Sequence, residues 1–222
     1  MAMDMEGMSA TGSMMTLRPW TSLDFALTFA MWTVMMVGMM VPSATPTALI
    51  YAAVARKAAL QGAVLAPTII FVSGYVAVWT VFSLLATVIQ WGLEWAALLS
   101  PMMASTSPSL GATLLVGAGV YQLTPMKAAC LRHCRAPAQF ISQHWRPGRA
   151  GAFHMGIIHG AYCLGCCWIL MGLLFLGGVM NLLWIAGITI TVLAEKVLPF
   201  GNWGGRIAGS AAIAVGVAVL VG

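Results

Sequence analysis

Hydrophobic and polar positions along this chain fall into long apolar blocks separated by short polar breaks. Phe25 to Val41, Ile69 to Ile89 and Phe153 to Met180 each approach or exceed the roughly 20 residues a helix needs to cross about 30 Å of hydrocarbon. The pattern predicts spans at 24–42, 65–92, 108–126, 153–176, 179–195 and 205–222. The alternating segments of about ten residues that a membrane barrel requires are missing from the sequence. The predicted fold class is all-α: a polytopic transmembrane helical bundle of about six spans. Residues 1–22 read as a polar, methionine-rich tail and 23–222 as the transmembrane helical domain. After the first block, Pro42-Ser43-Ala44-Thr45-Pro46 leaves two forms open, one long kinked helix or a broken one, because proline removes a backbone donor.

Composition agrees: 7% of residues are charged and mean hydropathy is +0.94, whereas about a quarter of a soluble domain is charged. The net charge of +5 does not point to nucleic acid, since the basic residues are few and lie between apolar blocks rather than in one patch. It bears on orientation instead. Arg56 and Lys57, the group Lys127, Arg132, Arg135, Arg146 and Arg149, and Lys196 with Arg206 fall on one side of the predicted bundle. The positive-inside rule makes that side cytoplasmic and turns both termini outward. The first twenty residues carry Asp4, Glu6 and Arg18 and no apolar core, so the first span is expected to act as its own insertion signal. In the last span Gly205, Gly209 and Gly216, with Ala208 and Ala212, predict a small-residue face for close helix contact.

Candidate chemistry concentrates in the fourth span. A helix advances 100° per residue, which puts Met155, His159, Cys163 and Cys166 on one face with Cys167 at its edge. Imidazole, thiol and thioether donors then line one stripe, a set that suits copper(I), zinc or iron. The alternative is that small Cys and Gly residues simply let helices pack. Met31, Met35 and Met39 recur every four residues in the first span, with Met36 and Met40 beside them, at about the same depth as the cysteines. Their bland reading is ordinary methionine packing.

In the predicted cytoplasmic loop, Cys130 and Cys134 stand one helical turn apart around His133, suited to metal transfer or a reversible dithiol. The methionines of the tail, Met1 to Met15, could capture copper(I) outside the cell. Glu195 and Lys196 close the fifth span; the acid could simply sit in the interface, or face inward and take up a proton released on metal binding. No catalytic triad, phosphate loop or cofactor fingerprint is present, so an enzyme is not the favoured reading.

Three motifs in order carry a resemblance: Met35-Met36-x-x-Met39-Met40-x-Pro42-Ser43; Tyr121-Gln122-Leu123-Thr124-Pro125 through Cys130-x3-Cys134-Arg135-x-Pro137; and His159-Gly160-x-Tyr162-Cys163-x-Gly165-Cys166-Cys167-Trp168. Over about residues 25 to 200 the chain resembles a bacterial family of predicted metal-binding integral membrane proteins of unknown function. Gly178-Val179-Met180-Asn181 and Glu195-Lys196 fit it too. The resemblance implies a place in the bacterial cytoplasmic (inner) membrane and metal binding at those Cys, His and Met positions.

The expected metal set is His159, Cys163, Cys166 and Cys167, with Met35 and Met39 completing it and Cys130 and Cys134 nearby. The expected function is binding a soft transition metal, copper before zinc or iron, for transport, delivery or sequestration. Expected partners are the lipid bilayer, a metal-accepting protein or membrane complex, and a second copy of the chain. The rival functions are a membrane thiol-disulfide oxidoreductase and a structural subunit of a larger membrane complex.

Overall fold

A computed structural model describes residues 20–62, 66–99, 103, 107–198 and 201–221. The methionine-dense part of the tail, residues 1–19, lies outside the described residues. The described residues form nine helical segments and no strand. They are α1 (Ser22–Leu60), α2 (Thr68–Trp95), α3 (Pro108–Gln122), α4 (Pro125–Arg135), α5 (Pro137–His144), α6 (Gly148–Gly172), the single turn α7 (Leu174–Gly177), α8 (Leu182–Val197) and α9 (Gly201–Val221).

α1 begins at a reciprocal capping box, in which Thr21 Oγ1 accepts from the Asp24 amide and the Asp24 carboxylate accepts from the Thr21 amide. It then runs unbroken through Pro42 and Pro46 for 39 residues. Hydroxyls satisfy carbonyls along the proline stretch: Ser43 Oγ donates to Met40 O and Thr45 Oγ1 to Val41 O. Of the two forms the sequence left open, the continuous helix is the one adopted. At about 1.5 Å per residue it is about 58 Å long, well beyond one hydrocarbon thickness.

The expected span at 108–126 is a corner. α3 ends at Gln122, and Thr124 caps a new helix by accepting from the Lys127 amide, with Pro125 in its first turn. α3 and α4 bend by 65°. The segment expected as a basic cytoplasmic loop is therefore helical for most of its length: α4, packed against α6 and α8, then α5 and the first turn of α6. Lys127 and Lys196, assigned above to a charged membrane face, are both buried. Lys127 Nζ meets Glu195 Oε2 at 2.6 Å while Gln122 Nε2 donates to Glu195 Oε1 at 3.0 Å, so Glu195 faces inward rather than sitting in the interface. Positive-inside counting assumes solvated lysines, and an internal partner removes that assumption.

Among the described residues four helices are long and apolar enough to cross a membrane, and taking the bent α3–α4 pair as one span raises the number to five. The expected fifth span is the 16-residue α8, about 24 Å at 1.5 Å per residue and short of a full crossing.

α6 is the hub, packing against α2, α3, α4, α5 and α8. Glycine brings α2 and α6 to backbone contact: a Cβ at Gly156 would strike the Phe71 carbonyl, and one at Gly74 would strike the Phe153 carbonyl. α3 and α9 cross in the same manner at Gly119 and Gly209, which bears out the glycine face expected in the last helix. Tyr121 Oη donates to the Gly165 carbonyl and ties α3 to α6. Outward faces remain apolar, as at Val34, Val81, Leu183 and Val221.

Candidate metal centre

Five elements meet around the middle of α6. Cys163, Cys166 and Cys167 all point into the bundle and are at most 2% exposed. Their helical spacing lets the Cys166 and Cys167 thiols share one acceptor, the Cys163 carbonyl, each at 3.0 Å. α1 contributes Met40, whose Sδ lies 4.0 Å from Cys167 Sγ. From α4 comes Cys134, half-buried and packed against the core that holds these thiols. α2 supplies Tyr75, with Oη 2.9 Å from the Met40 carbonyl and 3.0 Å from Cys163 Sγ. A hydroxyl has one proton, so it serves one of these two acceptors at a time. α8 supplies Lys196, whose Nζ donates to Cys163 Sγ at 2.9 Å and to Ser43 Oγ at 3.0 Å.

The sequence-predicted residues divide accordingly. Cys134, Cys163, Cys166 and Cys167 come together. Met39 is buried in the same core, Met35 packs at its edge, and the thioether nearest a thiol is that of Met40, one residue beyond the expected stripe. His159 lies one turn before Cys163 among aromatic rings, with centroids 5.0 Å from Phe140, 5.7 Å from Tyr75 and 6.0 Å from Phe71. Its Nδ1 is buried without a hydrogen-bond partner, an unmet need that an ion or water could answer. Cys130 is half-buried one turn up α4, and a methyl group at Gly165 would come within 2.9 Å of its sulfur. All five cysteines are free thiols.

Among the described residues no group of three or more His, Cys, Asp or Glu side chains is arranged to hold one metal ion. The cluster as it stands offers pairs of thiols and a neutral thioether, a donor set that fits a soft ion of low coordination number better than one needing four ligands.

Residues 29–219 match the PpoB2 copper chaperone family. The chain belongs to that family. No curated protein and no solved structure matches it. The match runs from the first third of α1 to the last turn of α9, so every side chain brought to the centre of this PpoB2-family chain lies inside it.

Sequence reasoning passed over Tyr75, Ser43 and the inward role of Lys196. Each left a signal: a tyrosine inside an apolar block, a hydroxyl directly after Pro42, and a lysine ending a predicted span.

Proposed function

We propose that this protein is a membrane-embedded copper chaperone that takes copper(I) as cargo on buried sulfur and passes it to an accepting protein. The observation that supports this most is the convergence of four thiols and the Met40 thioether on one desolvated spot, in a chain of the PpoB2 family. Thiolate and thioether donors select copper(I), and the cargo displaces thiol protons as it binds. Cys163 and Cys167, one turn apart with Met40 beside them, form the holding pair. Lys196 and Tyr75 keep Cys163 Sγ in place by direct contact.

Release follows the sulfur outward. Cys134 packs against the core that holds the α6 thiols, and Cys130, half-buried on the same face of α4, is the next donor one turn away. Exchange from thiol to thiol needs no nucleotide, in keeping with a sequence that lacks a phosphate loop. The apolar outer faces of α1, α2 and α9 support placement in a lipid bilayer, where their burial against acyl chains replaces contact with water.

The test is metal content. Detergent-purified protein under reducing conditions is expected to carry copper in a fixed ratio, and Cys163→Ser, Cys166→Ser and Cys167→Ser together are expected to abolish it. Equal trace copper in both proteins would remove the proposal. Copper absent from both, with only the thiol redox state changing, would favour a thiol oxidoreductase.

A further inference from the structure

Lys196 carries a positive charge in the interior, 6% exposed, and its hydrogen bonds go to Ser43 Oγ and Cys163 Sγ. The carboxylates of the described residues are engaged elsewhere. Asp24 caps α1, Glu94 accepts from Trp20 and Gln90, and Glu195, its chain neighbour, is turned to Lys127 and Gln122. A desolvated ammonium needs an anion, and sulfur is the group at hand.

We infer that Lys196 is the fixed counter-cation of the cargo site, and that its single charge makes the site select a monovalent ion held by two thiolates over a divalent one. The inference rests on the copper reading above and adds the reason for selectivity. Two thiolates, a monovalent ion and one ammonium sum to zero, whereas a divalent ion on the same two thiolates leaves a net positive charge in a low-dielectric interior. A third thiolate on the same ion would restore neutrality for a divalent metal, but no such three-donor group exists among the described residues. Met40 adds a donor without adding charge. Loading conserves charge in the same way: Cys163 enters as the thiolate paired with Lys196, the second thiol gives one proton to water as the monovalent ion binds, and Lys196 keeps its own.

The experiment compares affinities for copper(I) and zinc(II), measured by competition with chromophoric chelators on the full-length protein in detergent. Lys196→Met is expected to lower the preference for copper(I) over zinc(II) by at least about tenfold, because the zinc bis-thiolate becomes the neutral species. Lys196→Arg, which keeps the charge, should stay within about threefold of the parent. Ser43→Asp gives Lys196 a carboxylate of its own and is expected to shift the preference in the same direction as Lys196→Met. It decides the matter if Lys196→Met does not fold. A preference that is unchanged or higher in the folded variants overturns the inference and leaves the copper reading standing. A parent protein that binds neither metal overturns both.

Discussion

Lys127 and Lys196 are buried in the same bundle and take different anions. Lys127 has a carboxylate, Glu195, and the pair is completed by Gln122, so two opposite charges cancel inside the protein. Lys196 has a sulfur. A buried ion pair contributes little net stability, yet removing one partner strands the other charge, at a cost of about 3–5 kcal/mol. Lys127→Met alone is therefore expected to destabilise the detergent-solubilised protein by that amount, and Lys127→Met combined with Glu195→Leu to recover most of it. Denaturant unfolding of the single and double variants reads the difference. If the single substitution costs no more than the double, Glu195 is not desolvated and the account of the α4–α8 contact is wrong.

At the scale of elements, the cluster depends on how close α6 can come to α2. Gly156 has no side chain, and the Phe71 carbonyl fills the space a side chain would need. Gly156→Leu is expected to push the two helices apart, costing about 1–3 kcal/mol through overpacking and reducing bound copper. Gly172→Leu on the same helix faces open space and should leave copper stoichiometry and melting temperature near the parent values. Equal effects of the two substitutions would show that the close crossing does not set the site. Crossings of this kind were partly legible beforehand, since the small residues of α9 announce a contact face, but the partner of a glycine cannot be read from one chain. α4 shows the other limit. Its residues are polar enough to read as a loop, and its helix comes from the Thr124-Pro125 start signal and from packing against α6. That packing brings Cys134 against the core that holds the α6 thiols, where the sequence alone reads a connecting loop. The thiols of α6 were legible because helical periodicity alone puts them on one face. Lys196 was not, because a lysine at the end of an apolar block ordinarily snorkels to water.

For the whole molecule the question is which solvent surrounds the bundle. Buried polar groups, Gln90 with Trp32 and Glu195 with Lys127, are paired internally, while large apolar side chains cover the outside. An apolar exterior around an apolar core with internally paired polar groups is the arrangement that the proposed lipid environment would favour. Val81 provides a direct measurement, since it lies midway along α2 and is 70% exposed. In water, exchanging an exposed valine for lysine changes stability by no more than about 0.5 kcal/mol. At the centre of a bilayer the same lysine costs about 2.5–3.5 kcal/mol on insertion. Val81→Lys is accordingly expected to lower the fraction of protein that resists carbonate extraction from membranes, while Leu60→Lys, at the exposed end of α1, leaves it unchanged. Equal extraction of both variants and the parent would place α2 outside the hydrocarbon. The low-dielectric interior that gives Lys196 its leverage over cargo charge would then come from protein packing alone.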